Sequence, residues 1–168
     1  MRPKPTVADW AVTIEMAQRE GQGLEAPPIV RVPRDGELPL SFAQQRLWFL
    51  DQLEPGSTLY NMPFAVRLKG QLDVEALKRT LSEIVRRHEV LRTIFASNDG
   101  RAVQVISPAA PLRIETIDLS ASPANEREEQ VEQLALREHQ VPFDLAREWG
   151  FRAKLLRLSA EEHIVLLT

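Results

Sequence analysis

The chain has 168 residues, 43% hydrophobic and 27% charged, with 21 basic and 24 acidic residues, a formal charge of −3 and no cysteine. That length suits one domain of about 100–150 residues plus an appendage, and without thiols there is no disulfide framework, no thiolate zinc site and no cysteine nucleophile. The acidic balance offers a nucleic-acid backbone no broad basic face, no stretch approaches the ~18 apolar residues of a membrane span, and residues 1–13 lack a signal peptide's apolar core, so the chain reads as soluble and cytoplasmic, with neither nucleic acid nor membrane as partner.

Residues 6–20 predict a short helix with Thr6 as N-cap; Val7, Trp10, Ala11, Ile14 and Ala17 form its apolar stripe, and Gly21 and Gly23 end it. A single helix of this length is marginal in water, so the stripe needs a partner. Residues 24–39 carry Pro27, Pro28, Pro33 and Pro39 with little periodicity and read as an extended linker. The globular pattern begins at Ser41, which with Gln44 has capping-box spacing; Ala43, Leu47, Leu50 and Leu53 then make a helical stripe that stops at Pro55-Gly56. Residues 64–68 alternate as a strand ending at Gly70.

Asp73 caps the clearest helix, with Leu72 and Leu77 at staple positions and Val74, Leu77, Leu81, Ile84, Val85 and His88 on one face. Strands are expected at 92–96 and 102–106 across the hairpin signal Ser97-Asn98-Asp99-Gly100, and at 113–119. Pro123 opens a charged helix running to about Gln140. Two strands close the chain, 151–158 and 163–168. Ile164-Val165-Leu166-Leu167 is a continuous apolar run, the pattern of a strand buried on both faces of a sheet. Domains seldom end inside such a strand, so the chain is expected to be incomplete at its C-terminus, with an unpaired edge at 164–167 prone to aggregation unless covered. The fold class is α/β.

Chemistry is sparse. There is no G-x-S-x-G, phosphate loop, G-x-G-x-x-G or H-E-x-x-H. Of the three histidines, His88 reads as packed or capping, His139 as a complement to a helix dipole, and His163 as a strand opener with no acid or nucleophile at motif spacing; no two are spaced as a metal pair. No metal site is expected. Trp48 and Phe49 are core residues or the lining of a ligand channel, and the charged tracts at 86–87 and 126–129 are solvated faces or docking surfaces.

Two segments carry a resemblance. Ser41-Phe42-Ala43-Gln44-Gln45-Arg46-Leu47-Trp48-Phe49-Leu50 resembles the first conserved motif of the condensation domains of nonribosomal peptide synthetases, and Arg87-His88-Glu89-Val90-Leu91-Arg92-Thr93-Ile94-Phe95 resembles the second. Both match at nearly every position, in order and at a familiar separation, with Pro55-Gly56-Ser57 and Tyr60-Asn61-Met62-Pro63 between them also similar. The wording of the first motif is similar to the subtype that joins an L-configured donor to an L-configured acceptor. The motif residues singled out are Ser41, Gln44, Trp48, His88 and Glu89.

The resemblance implies a chloramphenicol-acetyltransferase-like sandwich of two lobes around a tunnel, of which this chain would be the N-terminal lobe. It implies peptide-bond formation between aminoacyl or peptidyl thioesters held on carrier domains by 4′-phosphopantetheine, with no cofactor bound directly and an adenylation domain as neighbour. It places the catalytic motif, His-His-x-x-x-Asp-Gly, just after Thr168, and makes Arg46 and Arg92 the candidates for the structural arginine that pairs with the motif aspartate. The chain alone is then expected to be inert. Residues 1–22 resemble the closing helix of a peptidyl carrier protein, 23–37 the following linker and 38–168 a partial condensation domain. Two other readings stand beside this one. The first is a non-catalytic docking module for a carrier or a complementing synthetase subunit. The second is an acyltransferase using a free thioester, which needs the same histidine.

Overall fold

The computed structural model of the protein describes residues 6–19, 28–34 and 36–168. The chain divides into two compact units, Met1–Asp35 and Gly36–Thr168. In the first, helix α1 spans Val7–Arg19. Thr6 starts it reciprocally, its hydroxyl accepting from the Asp9 N–H and its own N–H donating to the Asp9 carboxylate. Val7, Trp10 and Ile14 are exposed, residues 28–34 have no regular structure, and the expected stop at Gly21 and Gly23 lies outside the described residues.

The second unit runs β1 (Leu38–Pro39), α2 (Phe42–Leu53), β2 (Phe64–Lys69), α3 (Val74–Arg87), a 3-10 turn (Glu89–Arg92), β3 (Thr93–Asn98), β4 (Arg101–Ile106), β5 (Ile114–Asp118), α4 (Ala124–His139), β6 (Ala153–Arg157) and β7 (Glu162–Leu167). Local chemistry explains most of these boundaries. The Ser41–Gln44 capping box forms as the spacing predicts, and the Asp73 carboxylate accepts from the Ala76 N–H. Asp99 and Gly100 both take positive φ (48° and 77°) in the two-residue turn between β3 and β4, the geometry an Asp-Gly hairpin favours.

Two sheets result. β1-β4-β3 is a small antiparallel sheet, and β2-β7-β6-β5 is mixed, its β5 and β6 being parallel. A parallel pair needs a crossover, and α4 supplies it. The final apolar run is buried as its pattern requires: Ile164, Val165 and Leu166 are each at most 5% exposed. It is not, however, an unpaired edge. β7 is hydrogen-bonded to β2 on one side and β6 on the other, and the edges are β2 and β5. A strand buried on both faces gains most at the centre of a sheet, which composition alone cannot distinguish from an edge.

Successive residues of β7 point to opposite faces. Ile164 and Leu166 join Leu119, Val131, Leu156 and Leu158 in the principal core, with Leu134 and Ala135 packed against it, so α4 covers this face. Pro39 corrects the linker expectation: it lies in β1, opposite Val103, on the edge of its sheet where a residue without an N–H is tolerated. α2 also departs from expectation, because its stripe contains no buried residue.

Candidate functional site

The stripe of α2 faces a cleft. Leu47, Leu50 and Leu53 form one wall, Leu59, Tyr60 and Met62 another, and Phe143, Leu145 and Thr168 the end where β7 runs out; the volume is about 490 Å³. Leu53, Leu59 and Met62 stay largely exposed. Asp51, Glu54 and Asn61 supply the polar groups, and the Thr168 hydroxyl is buried without a hydrogen-bond partner among the described residues. None of the three histidines lines this cleft. Among the described residues no group of three or more His, Asp or Glu could hold a metal ion, and no helix is long and apolar enough to cross a membrane.

The first motif anchors α2 rather than lining the cleft throughout. Gln44 closes the capping box and also donates from its amide to Gln104 Oε1 on β4 (3.2 Å), while Gln104 donates to the Pro39 carbonyl (2.7 Å) and Gln45 to the Leu40 carbonyl (3.1 Å). These bonds tie the start of α2 to the small sheet and so orient the leucine wall. Trp48 is half-buried in a second groove beside Phe95, which shares Asp51, Phe143 and Leu145 with the first; Phe49 is exposed. Arg46 is exposed, and its side chain has no ion pair or hydrogen bond among the described residues.

The second motif turns the chain from α3 into β3. His88 is the C-cap, exposed, its backbone N–H donating to the Ile84 carbonyl at 2.9 Å. It therefore lies beyond the helix's buried face, where only Leu81 and Val85 are buried. Glu89 opens the 3-10 turn, its carbonyl accepting from the Thr93 hydroxyl at 2.8 Å. Arg92 is 11% exposed in its side chain, 3.6 Å from the Glu89 carboxylate, and donates to the Ser107 carbonyl; its Nε is buried with no partner among the described residues. Of the two candidate arginines, only Arg92 is held in place by the fold. Arg86 and Arg87 both pair with Glu83, at 2.6 and 2.7 Å, on an exposed helix face.

Sequence reasoning missed the polar cluster behind the cleft. Glu138, in the last turn of α4, is 5% exposed and sits 2.9 Å from Arg152 Nε and 3.1 Å from Lys154 Nζ. Burial pulls the Lys154 ammonium down, but donation to Glu138 and Glu115 more than offsets it, and the group stays above its ordinary value. The Arg152 guanidinium also donates to the Val141 and Pro142 carbonyls and stacks 3.7 Å above the Phe143 ring. Asn61 donates to the His139 and Val141 carbonyls at 2.8 and 2.9 Å, strapping the cleft's second wall to the same turn. One signal was available: Glu138 continues the Val131, Leu134, Ala135 stripe at helical spacing, and a carboxylate on an apolar stripe must find a cation.

Comparison with solved structures defines the class. The X-domain from teicoplanin biosynthesis matches with a TM-score of 0.71 and 33% identity, over 84% of this chain and 29% of that one. The first condensation domain of the calcium-dependent antibiotic synthetase matches with 0.70 and 25%, over 79% and 32%. The fold is thus the mixed α/β, chloramphenicol-acetyltransferase-like fold of condensation domains, represented in part. The family model described as Condensation domain matches residues 34–168, and the chain belongs to that family. Among relatives, a linear gramicidin synthase polypeptide of Brevibacillus parabrevis is 48% identical over 163 residues, 97% of this chain but 2% of that protein. Cyclosporin synthetase of Tolypocladium inflatum is 44% identical over 162 residues, 96% of this chain and 1% of the relative. A nonribosomal peptide synthetase of Curvularia clavata is 40% identical over 163 residues, again 96% and 1%. The chain thus spans 1–2% of the length of these synthetases.

Proposed function

We propose that residues 38–168 are the N-terminal lobe of a nonribosomal peptide synthetase condensation domain, cytoplasmic, and that the polypeptide containing it joins carrier-bound thioesters through a peptide bond. In that reaction the acceptor amine attacks the donor thioester carbonyl, the C–N bond forms, the C–S bond breaks and the donor thiol leaves with the amine's proton. The observation that carries the reading is the reach of the likeness. Both motifs lie inside the family match at 34–168, and the synthetase relatives continue to match across 163 of the 168 residues, taking in α1 and the residues after it. That continuity supports residues 1–22 as the closing helix of a preceding carrier domain and 23–37 as the linker.

The 4′-phosphopantetheine arm belongs to the partner carriers and presents each acyl group as a thioester. The cleft's residues suit such an arm: leucine and aromatic walls for a slender chain, with Asn61 among its few polar groups. This chain's own contribution is to shape one wall and hold the arginine. Arg92, buried with an Nε that has no partner among the described residues, is the better of the two candidates to receive the motif aspartate, since a desolvated guanidinium gains most from a carboxylate. Ser41, Gln44, Trp48, His88 and Glu89 serve as scaffold. None of the three histidines lines the cleft, which supports the reading that the 168-residue chain by itself forms no peptide bond.

The test is to read the gene immediately 3′ of the Thr168 codon. A His-His-x-x-x-Asp-Gly following directly, in this frame or a shifted one, supports the reading. Unrelated sequence there would overturn it and leave the non-catalytic docking module.

A further inference from the structure

Arg152 is the point where three separate pieces of the second unit meet. Its backbone N–H donates to the Thr168 carbonyl at 2.9 Å, and its carbonyl accepts from the Thr168 N–H at 3.0 Å. The residue that follows β7 is therefore registered against the residue that precedes β6. The side chain leaves in the other direction and takes hold of the end of α4 through Glu138, of the following turn through the Val141 and Pro142 carbonyls, and of Phe143 by stacking. Phe143 and Thr168 both line the cleft. One residue thus couples the cleft wall to the backbone leaving the central strand.

Only arginine can do this with one side chain. Its planar fork reaches a carboxylate and two carbonyls at once while its face lies on a ring, whereas an ammonium offers a single point of charge. Glu138 fixes the fork, being 5% exposed and bonded to Nε. We propose that Arg152, seated on Glu138, is a positioning residue for condensation: it sets where and in what direction the chain leaves β7 at Thr168, and so how the segment that follows is presented against Phe143. This rests on the condensation reading above, since it needs a reaction at that end of the cleft.

The experiment uses the natural polypeptide encoded through the residues after Thr168, with amide formation between two loaded carrier domains followed at varied carrier concentration. Three proteins are compared: wild type, Arg152→Lys and Arg67→Met. Arg67 pairs with Glu128 and Glu162 at the far end of β7, so its loss weakens the same sheet without touching the cleft. Arg152→Lys should lower kcat by about tenfold to a hundredfold, the scale of a small misplacement at a reacting centre, with KM for either carrier held within about twofold. Exchange of the Thr168 amide should rise by about tenfold as local opening becomes easier. Arg67→Met should lower thermal stability and leave kcat and Thr168 exchange as in wild type. A kcat for Arg152→Lys within about twofold of wild type overturns the positioning role while the condensation reading stands. A wild-type polypeptide that makes no amide overturns that reading and the proposal with it. If Arg152→Lys does not fold, Glu138→Gln decides, because it keeps a neutral acceptor that spares the fold but removes the charge that fixes the fork: a fall in kcat at constant KM is expected, and an unchanged kcat overturns the proposal.

Discussion

Replacing Arg152 by methionine tests the energetics of the cluster behind the cleft. The change removes hydrogen bonds to Glu138, Val141 and Pro142 together with the stacking on Phe143, and leaves Glu138, 5% exposed, with Lys154 at 3.1 Å as its remaining cation. Breaking a buried ion pair from one side costs about 3–5 kcal/mol, because the partner is left desolvated. Two features reduce this. Lys154 still compensates the carboxylate, and the Arg152 side chain is itself 22% exposed, so about 2–3 kcal/mol is expected. Glu138→Leu should cost about 2 kcal/mol, since it strands Arg152, which can partly reach water, and leaves Lys154 with Glu115 alone. The double variant should cost less than the sum by about 1–2 kcal/mol, because neither charge is then left alone. Urea unfolding of the four proteins, followed by far-ultraviolet circular dichroism, gives all three differences. A loss below about 1 kcal/mol for Arg152→Met, or strict additivity in the cycle, would refute the claim that the pair is buried and coupled.

Three further outcomes follow from the packing and the charges. Leu156→Ala, at a fully buried position of the main core, should cost about 2–5 kcal/mol, and Val66→Ala, 45% exposed on edge strand β2, under about 1 kcal/mol; equal losses in urea would contradict the sheet order. Ser41→Ala removes the hydroxyl that accepts the Gln44 N–H and should lower stability by about 1 kcal/mol in the same assay, while no change would mean the capping box contributes nothing. In acid, Glu83 is held down from 4.5 to about 2 by Arg86 and then Arg87, Glu162 is lowered chiefly by Arg67, and Asp118 by Ser120. A carboxylate with a depressed folded pKa stabilises above its unfolded value and ceases to as pH falls through the folded one. The melting temperature should therefore decline between about pH 4.5 and 2, less steeply in high salt; a flat profile in that window would show the pairs to be idle.

Much of the local structure could be read from residues because its causes are local. Ser41 with Gln44, Asp73 with Ala76, and Asp99-Gly100 each satisfy backbone groups within a few residues, and the uninterrupted apolar run at 164–167 marks double-sided burial wherever its neighbours come from. What the sequence leaves open is non-local. Strand order decides that β7 is central and β2 an edge, and nothing in the residues of β7 chooses between those places. The α2 stripe has the spacing of a core face, yet it borders an open cleft, because spacing records which side is apolar and not what lies opposite. The partnership of Glu138 with Arg152 spans 14 residues and depends on the βαβ crossover bringing the end of α4 over the start of β6. Of the two arginines singled out, burial separates them: Arg92 is packed and Arg46 exposed, a difference that neither motif shows by its residues alone.

The central proposal is that this lobe shapes one wall of a condensation site. Its most direct test incubates two carrier domains loaded with aminoacyl thioesters, once with the 168-residue chain and once with the natural polypeptide that contains it, and measures the carrier-bound dipeptide by mass spectrometry. The expected result is dipeptide with the longer polypeptide and none with the chain alone. Dipeptide formed by the 168 residues themselves, or none from a longer polypeptide that carries the histidines, would contradict it.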